Sequence, residues 1–277
     1  MIPFDFEYYR PDTAKGAVSV FAELEAKGKN PVFYGGGSEL ISMARVGSRS
    51  FGAVVDLKNI SECTRMEDRG DYVYLGAGLT LSDLIEWNGF PLLAKTAGRI
   101  ADHTMQCKIT LGGNLAATII YRETALPLLL SDAKLTFAAA DGFQEYEIDR
   151  VFQERLFLPP GAFLAGVTLD KRFFSLPYFH EKKTRNEKID YPLITAAGLK
   201  KEGALRIAFS GLAAFPFRNS KVEKILNSSL LSREKRADKV VKVLSEIIQS
   251  DLSGSAEYRK FVLKETILNI LDTMEGV

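Results

Sequence analysis

The sequence predicts an α+β protein with a large N-terminal domain and a smaller domain of strands and helices after it. Up to Leu169, short apolar runs typical of strands are mixed with stretches of helical periodicity, as in an α+β domain. The segment 171–188 is then charged and broken by Pro177, which indicates a domain junction or an exposed excursion. A length of 277 residues is enough for two domains.

The N-terminal elements are predicted in order from periodicity and capping residues. A helix begins after Pro11-Asp12-Thr13 and ends at Lys27-Gly28. Thr80 and Asp83 have the spacing of a capping box, which predicts a helix ending near residues 88–89. A further helix is expected from Leu92 to Arg99. Short apolar runs predict strands at 31–34, 53–57, 72–75 and 134–139.

The C-terminal elements combine a hairpin with two helices. Strand patterns at 194–199 and 205–212 flank the turn Lys201-Glu202-Gly203, which predicts the hairpin. Two amphipathic patterns follow. Their apolar faces are Ala237, Val240, Val241, Leu244, Ile247 and Ile248 in the first, and Tyr258, Phe261, Val262, Ile267, Leu268 and Leu271 in the second.

Composition and charge exclude several classes of function. Hydrophobic residues make up 46% and charged residues 26%, as in ordinary globular proteins. A net charge of +1 gives no overall attraction to nucleic acid or to a membrane surface. Neither a secretory signal nor an apolar run of about 20 residues is present, so we expect a cytoplasmic protein without a membrane span. The two cysteines predict ordinary thiols.

Two glycine-rich stretches indicate an anion site. The first loop is 34–40, Tyr-Gly-Gly-Gly-Ser-Glu-Leu, and the second loop is 110–116, Thr-Leu-Gly-Gly-Asn-Leu-Ala. Consecutive glycines let a phosphate approach backbone amides, and hydroxyls such as those of Ser38 and Thr110 suit phosphate oxygens. The stretches are about seventy residues apart and could hold one diphosphate together. The alternative is that each simply makes a tight turn.

Common nucleotide motifs do not fit these loops. Counted from Gly35, Leu40 takes the place of the third glycine of the Rossmann fingerprint, and neither loop has the P-loop pattern. Reactive side chains are also scarce. The two histidines, His103 and His180, have no metal-ligand spacing, and no nucleophile elbow occurs. A cofactor that supplies the chemistry would explain this composition.

Four segments resemble the flavin-binding (medium) subunit of the xanthine dehydrogenase and carbon monoxide dehydrogenase family of molybdenum hydroxylases. They are the opening 4–11, the first loop followed by Val54-Val55-Asp56-Leu57, the second loop, and 255–260 at the start of the last helix. The second loop matches almost letter for letter. The resemblance spans nearly the whole chain.

The resemblance implies a fold and its domain limits. The FAD-binding domain would cover 1–171 in two lobes, about 1–58 and 59–171, and would be similar to p-cresol methylhydroxylase and vanillyl-alcohol oxidase. A C-terminal flavoprotein domain over 172–277 would hold a three-stranded antiparallel sheet with helices. The chain length suits a free-standing subunit.

Cofactor-binding residues are carried over by position in the same way. They are Phe33, Tyr34, Gly35, Gly36, Gly37, Ser38, Glu39, Leu40, Ile100, Thr110, Gly112, Gly113, Asn114, Glu123 and Lys182. Both loops would embrace the FAD diphosphate, Ile100 and Lys182 would lie near the flavin, and Glu123 would contact the cofactor. Two departures stand out: 117–123 lacks the usual proline and has Glu123 in place of an aspartate, and 105–108 has fewer basic residues than the family.

The function implied is electron transfer inside a larger enzyme. The chain would be the FAD subunit of a molybdenum hydroxylase, with xanthine dehydrogenase as the leading member. It would take electrons from 2Fe-2S clusters on one partner, with the molybdenum cofactor on another, and pass them to NAD+ or another acceptor. A dimer of heterotrimers is expected. The alternatives are the flavin subunit of a carbon monoxide or N-heterocycle dehydrogenase, a stand-alone FAD reductase, and a scaffold without flavin.

Assembly would require contact surfaces on this chain. Trp87 and the pair Phe173-Phe174 are candidates for such a surface, and partial burial in the chain's own core is the alternative for each.

Overall fold

The computed structural model describes residues 2–186 and 189–276. Its strands, in chain order, are β1 Glu7–Tyr9, β2 Pro31–Tyr34, β3 Ala53–Asp56, β4 Met66–Arg69, β5 Tyr72–Gly76, β6 Lys134–Ala139, β7 Gly142–Glu147, β8 Phe163–Asp170, β9 Tyr178–Thr184, β10 Pro192–Lys201, β11 Ala204–Ser210 and β12 Phe217–Arg218. Its α-helices are α1 Ala14–Ala26, α2 Ser38–Arg45, α3 Ser61–Thr64, α4 Leu81–Trp87, α5 Pro91–Ala97, α6 His103–Gln106, α7 Leu111–Ala116, α8 Ala125–Leu130, α9 Ile148–Val151, α10 Ser220–Leu226, α11 Arg233–Leu244 and α12 Ala256–Glu275.

Contacts divide the chain into two compact units. Unit 1 comprises Met1–Glu86, His103–Ala117 and Asp132–Asp170. Unit 2 comprises Trp87–Asp102, Thr118–Ser131 and Lys171–Val277. Two segments from before residue 171 belong to unit 2, so these units are not continuous stretches of the chain. The predicted division into continuous domains at residue 171 therefore stays a prediction. No helix within 2–186 or 189–276 is both long and apolar enough to cross a membrane.

A small parallel sheet in unit 1 has the order β1-β3-β2. Strand β3 pairs with both neighbours, and all four of its residues are buried. Helix α1 packs on this sheet through Ala17 and Val18, and Thr13 caps it by accepting a hydrogen bond from the Gly16 amide at 3.1 Å. The predicted helix and both predicted strands are confirmed. The carboxyl ends of β2 and β3 meet at one edge, where Tyr34 lies opposite Asp56.

The larger sheet of unit 1 is antiparallel, with the order β4-β5-β8-β6-β7. Its central strand β8 is buried at seven of its eight positions. We predicted β5 and β6 but not β4, β7 or β8. Strand β8 lacks the alternation of a half-buried strand because both of its faces are covered, so periodicity alone does not identify it.

Among the described residues the sheet of unit 2 has four strands, in the order β12-β11-β10-β9, so the expectation of three strands is wrong. The shortest of these strands is the two-residue β12, in which Phe217 pairs with Phe209 and packs its ring 5.6 Å from that of Phe209. The predicted β10–β11 hairpin is confirmed, with Lys201 opposite Ala204.

The charged segment 171–188 is not an excursion over its described part, because it supplies β9, which pairs with β10. Glu187 and Lys188 lie outside the described residues. Trp87 and Phe174 are half-buried and pack edge to face at 5.7 Å, and Phe173 is buried. For these aromatics the structure therefore shows packing within unit 2.

The helices of unit 2 cover a core that they share with the sheet. This core includes Ala237, Val240 and Leu244 from α11 and Val262, Ile267 and Leu271 from α12. Two residues of the predicted apolar face of α12 face solvent instead, since Tyr258 is 51% and Phe261 61% exposed.

Candidate functional site

The first loop turns the chain from β2 into α2. Gly37 has a left-handed backbone with φ of 72° and is the N-cap residue of α2. A Cβ at this position would lie 2.2 Å from the Tyr34 hydroxyl oxygen, so a larger residue would have to displace that side chain in addition to adopting the left-handed backbone that favours glycine. Because Gly37 provides no capping side chain, the first turn of α2, which begins at Ser38, keeps its positive end uncapped. This end is suited to an anion.

The second loop uses its amides within unit 1. Thr110 caps α7 by accepting from the Gly113 amide at 3.1 Å, and its carbonyl accepts from the Asn114 amide at 2.8 Å. The Gly112 amide donates to the Ala77 carbonyl at 2.8 Å. The expectation that a phosphate could approach the backbone amides of this loop is therefore wrong for Gly112, Gly113 and Asn114, whose amides are hydrogen-bonded within the protein. Its glycines allow close packing instead, since a Cβ at Gly112 would lie 2.7 Å from the Ala77 Cβ.

The two loops contact each other directly in unit 1. A Cβ at Gly36 would lie 1.7 Å from the Lys108 carbonyl oxygen, and one at Gly35 would lie 2.9 Å from Thr110 Oγ1. No side chain larger than hydrogen fits at Gly36 without a backbone shift, because the obstructing atom belongs to the main chain. The structure thus brings together the two loops that were predicted to share one ligand.

The remaining predicted residues of the first loop fall into two groups. Phe33 stacks on Phe21 with ring centres 4.3 Å apart, and Leu40 packs against the small core around Val54. These two side chains therefore belong to the packing of unit 1. Ser38 and Glu39 are half-buried in the first turn of α2.

A network that we did not predict supports the first loop. The Lys58 ammonium donates to Asp56 Oδ2 at 2.7 Å and to the Gly35 carbonyl at 3.1 Å, and it lies 4.3 Å from the centre of the Tyr34 ring. Tyr8 donates its hydroxyl to the same Asp56 carboxylate. In the sequence, a carboxylate at the end of a buried strand with a lysine two positions later could have indicated such a pair.

Asp56 is ionised at neutral pH. Burial raises the pKa of its carboxyl group, but the hydrogen bonds from Lys58 and Tyr8 outweigh burial and leave the pKa below its ordinary value. The strand therefore ends in a buried negative charge next to the first loop.

Glu123 and Lys182, both in unit 2, form a buried ion pair. Lys182 Nζ donates to Glu123 Oε2 at 3.1 Å and to the Arg99 carbonyl at 2.8 Å, and Thr195 donates to Glu123 Oε1 at 2.6 Å. The two side chains are only 3% and 2% exposed. Burial raises the pKa of Glu123, while Lys182 and Thr195 oppose that rise. The predicted residue Ile100 follows Arg99 and is buried.

The histidines and cysteines lie in different surroundings: His103 Nε2 is 3.7 Å from the exposed Cys107 Sγ, whereas His180 Nε2 and Cys63 are buried. His180 lies on β9, and its Nε2 is buried without a hydrogen-bond partner among the described residues. Burial, and then the charges of Arg99, Lys95 and Lys182, lower the pKa of His180 to about 4, so its ring is neutral at pH 7. Burial raises the pKa of Cys63 to about 12. Within 2–186 and 189–276, no group of acidic, histidine and cysteine side chains could hold a metal ion.

Two family models match this chain, one over its N-terminal part and one over its C-terminal part. Residues 4–169 match the model of the FAD-binding domain in molybdopterin dehydrogenase, and residues 182–274 match that of the CO dehydrogenase flavoprotein C-terminal domain.

Individual relatives align over most of their length. The nicotine 6-hydroxylase medium subunit of Paenarthrobacter nicotinovorans is 27% identical over 84% of this chain and 85% of its own. The carbon monoxide dehydrogenase medium chain of Afipia carboxidovorans is 26% identical over 94% of this chain and 93% of its own. A solved carbon monoxide dehydrogenase chain from Hydrogenophaga pseudoflava superposes with a TM-score of 0.87 at 22% identity, covering 100% of this chain and 99% of that chain. Since the first family model alone spans more than half of the residues, the chain belongs to the family of FAD-binding subunits of molybdenum hydroxylases.

Proposed function

We propose that the two contacting loops of unit 1 hold the diphosphate of FAD and that this chain carries electrons between a partner's iron–sulfur clusters and an acceptor. The main observation behind this proposal is that the first turn of α2 has no side-chain cap and lies next to Gly36. At Gly36 a Cβ would collide with the Lys108 carbonyl. An uncapped helix N-terminus next to bare glycine backbone is a common way to bind phosphate oxygens.

Each loop contributes different groups to this proposed site. The first loop offers the N-terminus of α2, which has no side-chain cap, and the Ser38 hydroxyl. The second loop offers the Thr110 hydroxyl hydrogen, because the oxygen of that group already accepts from Gly113. The amides of Gly112, Gly113 and Asn114 are occupied, so we propose that these residues shape the site and make few direct hydrogen bonds to FAD.

In unit 2 we propose that Glu123 orients the Lys182 ammonium for hydrogen bonding to a ligand. An ammonium has three hydrogens, and two of them are used by Arg99 and Glu123, which leaves one for a ligand. Glu123 accepts hydrogen bonds from both Lys182 and Thr195. The glutamate that stands here in place of an aspartate therefore has two hydrogen-bond donors. Ile100 would contribute an apolar contact.

When bound, FAD would supply the exchange of electrons between one-electron and two-electron carriers. We propose partners that carry the molybdenum cofactor and 2Fe-2S clusters, a cytoplasmic dimer of heterotrimers, and NAD+ as the acceptor. Xanthine dehydrogenase remains our proposed enzyme type. A second candidate is an N-heterocycle hydroxylase, which the similarity to the nicotine 6-hydroxylase medium subunit favours.

Flavin content tests the proposal directly. The purified chain is denatured, the released chromophore is identified, and the apoprotein is titrated with FAD while flavin fluorescence is followed. We expect FAD to bind and Gly36→Ala to weaken its binding roughly tenfold or more, where tenfold corresponds to about 1.4 kcal/mol. Gly276→Ala is the matched control, because no atom lies within 4 Å of its added Cβ.

The other outcomes separate the alternatives. A chain that cannot be reconstituted with FAD but copurifies with its partners would be the flavin-free scaffold. Turnover of a small carbonyl or enol substrate by the isolated chain would indicate the stand-alone reductase. Equal FAD affinity of Gly36→Ala and the unmodified chain would mean that the first loop has been misassigned.

A further inference from the structure

Lys58 is held in one position by three different groups. Its ammonium donates to Asp56 Oδ2 and to the Gly35 carbonyl, and it lies over the Tyr34 ring. Asp56 is fixed in turn, because Tyr8 donates to its carboxylate and the Lys58 amide donates to its Oδ1 at 2.9 Å. Side-chain exposure is 41% for Lys58 and 2% for Asp56, so the lysine lies between a buried carboxylate and the surface.

This arrangement matters because the neighbouring loop is the proposed site of a dianion. A buried carboxylate beside that loop would repel the diphosphate, and the repulsion would be weakly screened because the group is out of water. The Gly35 carbonyl oxygen adds a partial negative charge to that of the Asp56 carboxylate. The Lys58 ammonium donates a hydrogen bond to each of these two groups. Glu39 is a further acidic group in the first turn of α2.

We propose that Lys58 is the positioning residue that makes the first loop able to accept a diphosphate, by neutralising Asp56 and holding the Gly35 carbonyl. This inference rests on the proposed function. It assigns roles to Asp56, Lys58 and Tyr8, which the sequence did not single out as site residues.

A double-mutant cycle distinguishes neutralisation from simple structural support. The full chain is prepared as Lys58→Met, Lys58→Arg, Asp56→Asn and the double variant Asp56→Asn/Lys58→Met, and the dissociation constant for FAD is measured at fixed ionic strength. We expect Lys58→Met to weaken FAD binding about tenfold and Lys58→Arg to bind nearly as the unmodified chain does. The double variant should recover most of the loss, because removing the carboxylate removes the charge that Lys58 neutralises.

Lys29→Met is the matched control. Lys29 is also a partly exposed lysine of unit 1 in an ion pair, with its Nζ 2.6 Å from Glu7 Oε1 and a side-chain exposure of 46%. Its replacement should leave the FAD dissociation constant unchanged. Urea unfolding of each variant gives its stability independently of FAD.

The measurements distinguish a failure of the role proposed for Lys58 from a failure of the proposed function. If the unmodified chain binds no FAD, the proposed function is wrong. If it binds FAD and Lys58→Met binds equally well, the function stands and the role of Lys58 is overturned. A double variant that binds no better than Lys58→Met would also overturn neutralisation, since a purely structural clamp gives that result.

Discussion

The buried charged side chains of Arg259, Glu123 and Lys182 each have hydrogen-bond partners within unit 2. Arg259 is fully buried and donates to the carbonyls of Leu193, Gln249 and Gly254 and to the Asp251 carboxylate. The Glu123–Lys182 pair is equally enclosed. Removing one member of such a pair typically costs about 3–5 kcal/mol, because the other is left as an unpaired buried charge. His180 avoids this cost by remaining neutral.

His180 predicts a loss of stability in mild acid. Its pKa in the folded chain is about 4 against 6.5 when unfolded. Between these values the unfolded chain binds more protons, so stability falls as pH decreases from 6.5 towards 4. The full loss is roughly 3 kcal/mol, since one pKa unit corresponds to about 1.4 kcal/mol. Urea unfolding at pH 7 and pH 4.5 should show a smaller acid loss for His180→Gln.

The exposed histidine provides the control for this measurement. His103 is exposed, so His103→Gln should keep the acid loss of the unmodified chain. If His180→Gln lost as much stability between pH 7 and pH 4.5 as the unmodified chain, the low pKa assigned to His180 would be incorrect.

The ends of several helices and the hairpin turn are explained by residues that lie close to them in the sequence. The predicted capping box is present, since the Thr80 amide donates to Asp83 Oδ2 at 2.7 Å and the Asp83 amide to Thr80 Oγ1 at 3.1 Å. Ser255 caps α12 by accepting from the Tyr258 amide. The β10–β11 turn has positive φ at both central residues, 52° at Glu202 and 79° at Gly203. That conformation matches the twist of the hairpin strands.

The hairpin turn predicts a stabilising substitution. Glu202 adopts the left-handed region, which is unfavourable for glutamate and better tolerated by asparagine. We expect Glu202→Asn to raise the free energy of unfolding by about 0.5 kcal/mol, of the order measured for other backbone-compatible changes. Gly203→Ala should lower it, because its left-handed backbone strains any residue with a Cβ. Urea unfolding followed by circular dichroism measures both, and a destabilised Glu202→Asn would contradict this account of the turn.

At the scale of the whole molecule, each unit has its own sheet system and its own buried core. The proposed diphosphate contacts all belong to unit 1, where the first loop joins β2 to α2 and the second loop contains the short helix α7. A ligand that binds the folded loops and not the unfolded chain must stabilise the protein by mass action.

FAD is therefore expected to raise the stability of the whole chain. At a free concentration of one hundred times the dissociation constant, the gain should be about 2.7 kcal/mol. Urea unfolding with and without FAD measures it. Gly36→Ala at the same FAD concentration should gain less, because its site is weakened. A gain that is the same for both proteins would mean that FAD is not bound through the first loop.

Local sequence determined the elements whose cause lies within a few residues: the α1 helix, the capping box, the hairpin and the two glycine loops. The family resemblance rested on those same short motifs. Tertiary structure alone decided which amides of the second loop are occupied, that Lys58 links Asp56 to Gly35, and that Glu123 meets Lys182 and Thr195. These contacts join residues far apart in the chain, so no periodicity or spacing encodes them. They form only when the sheets bring those segments together.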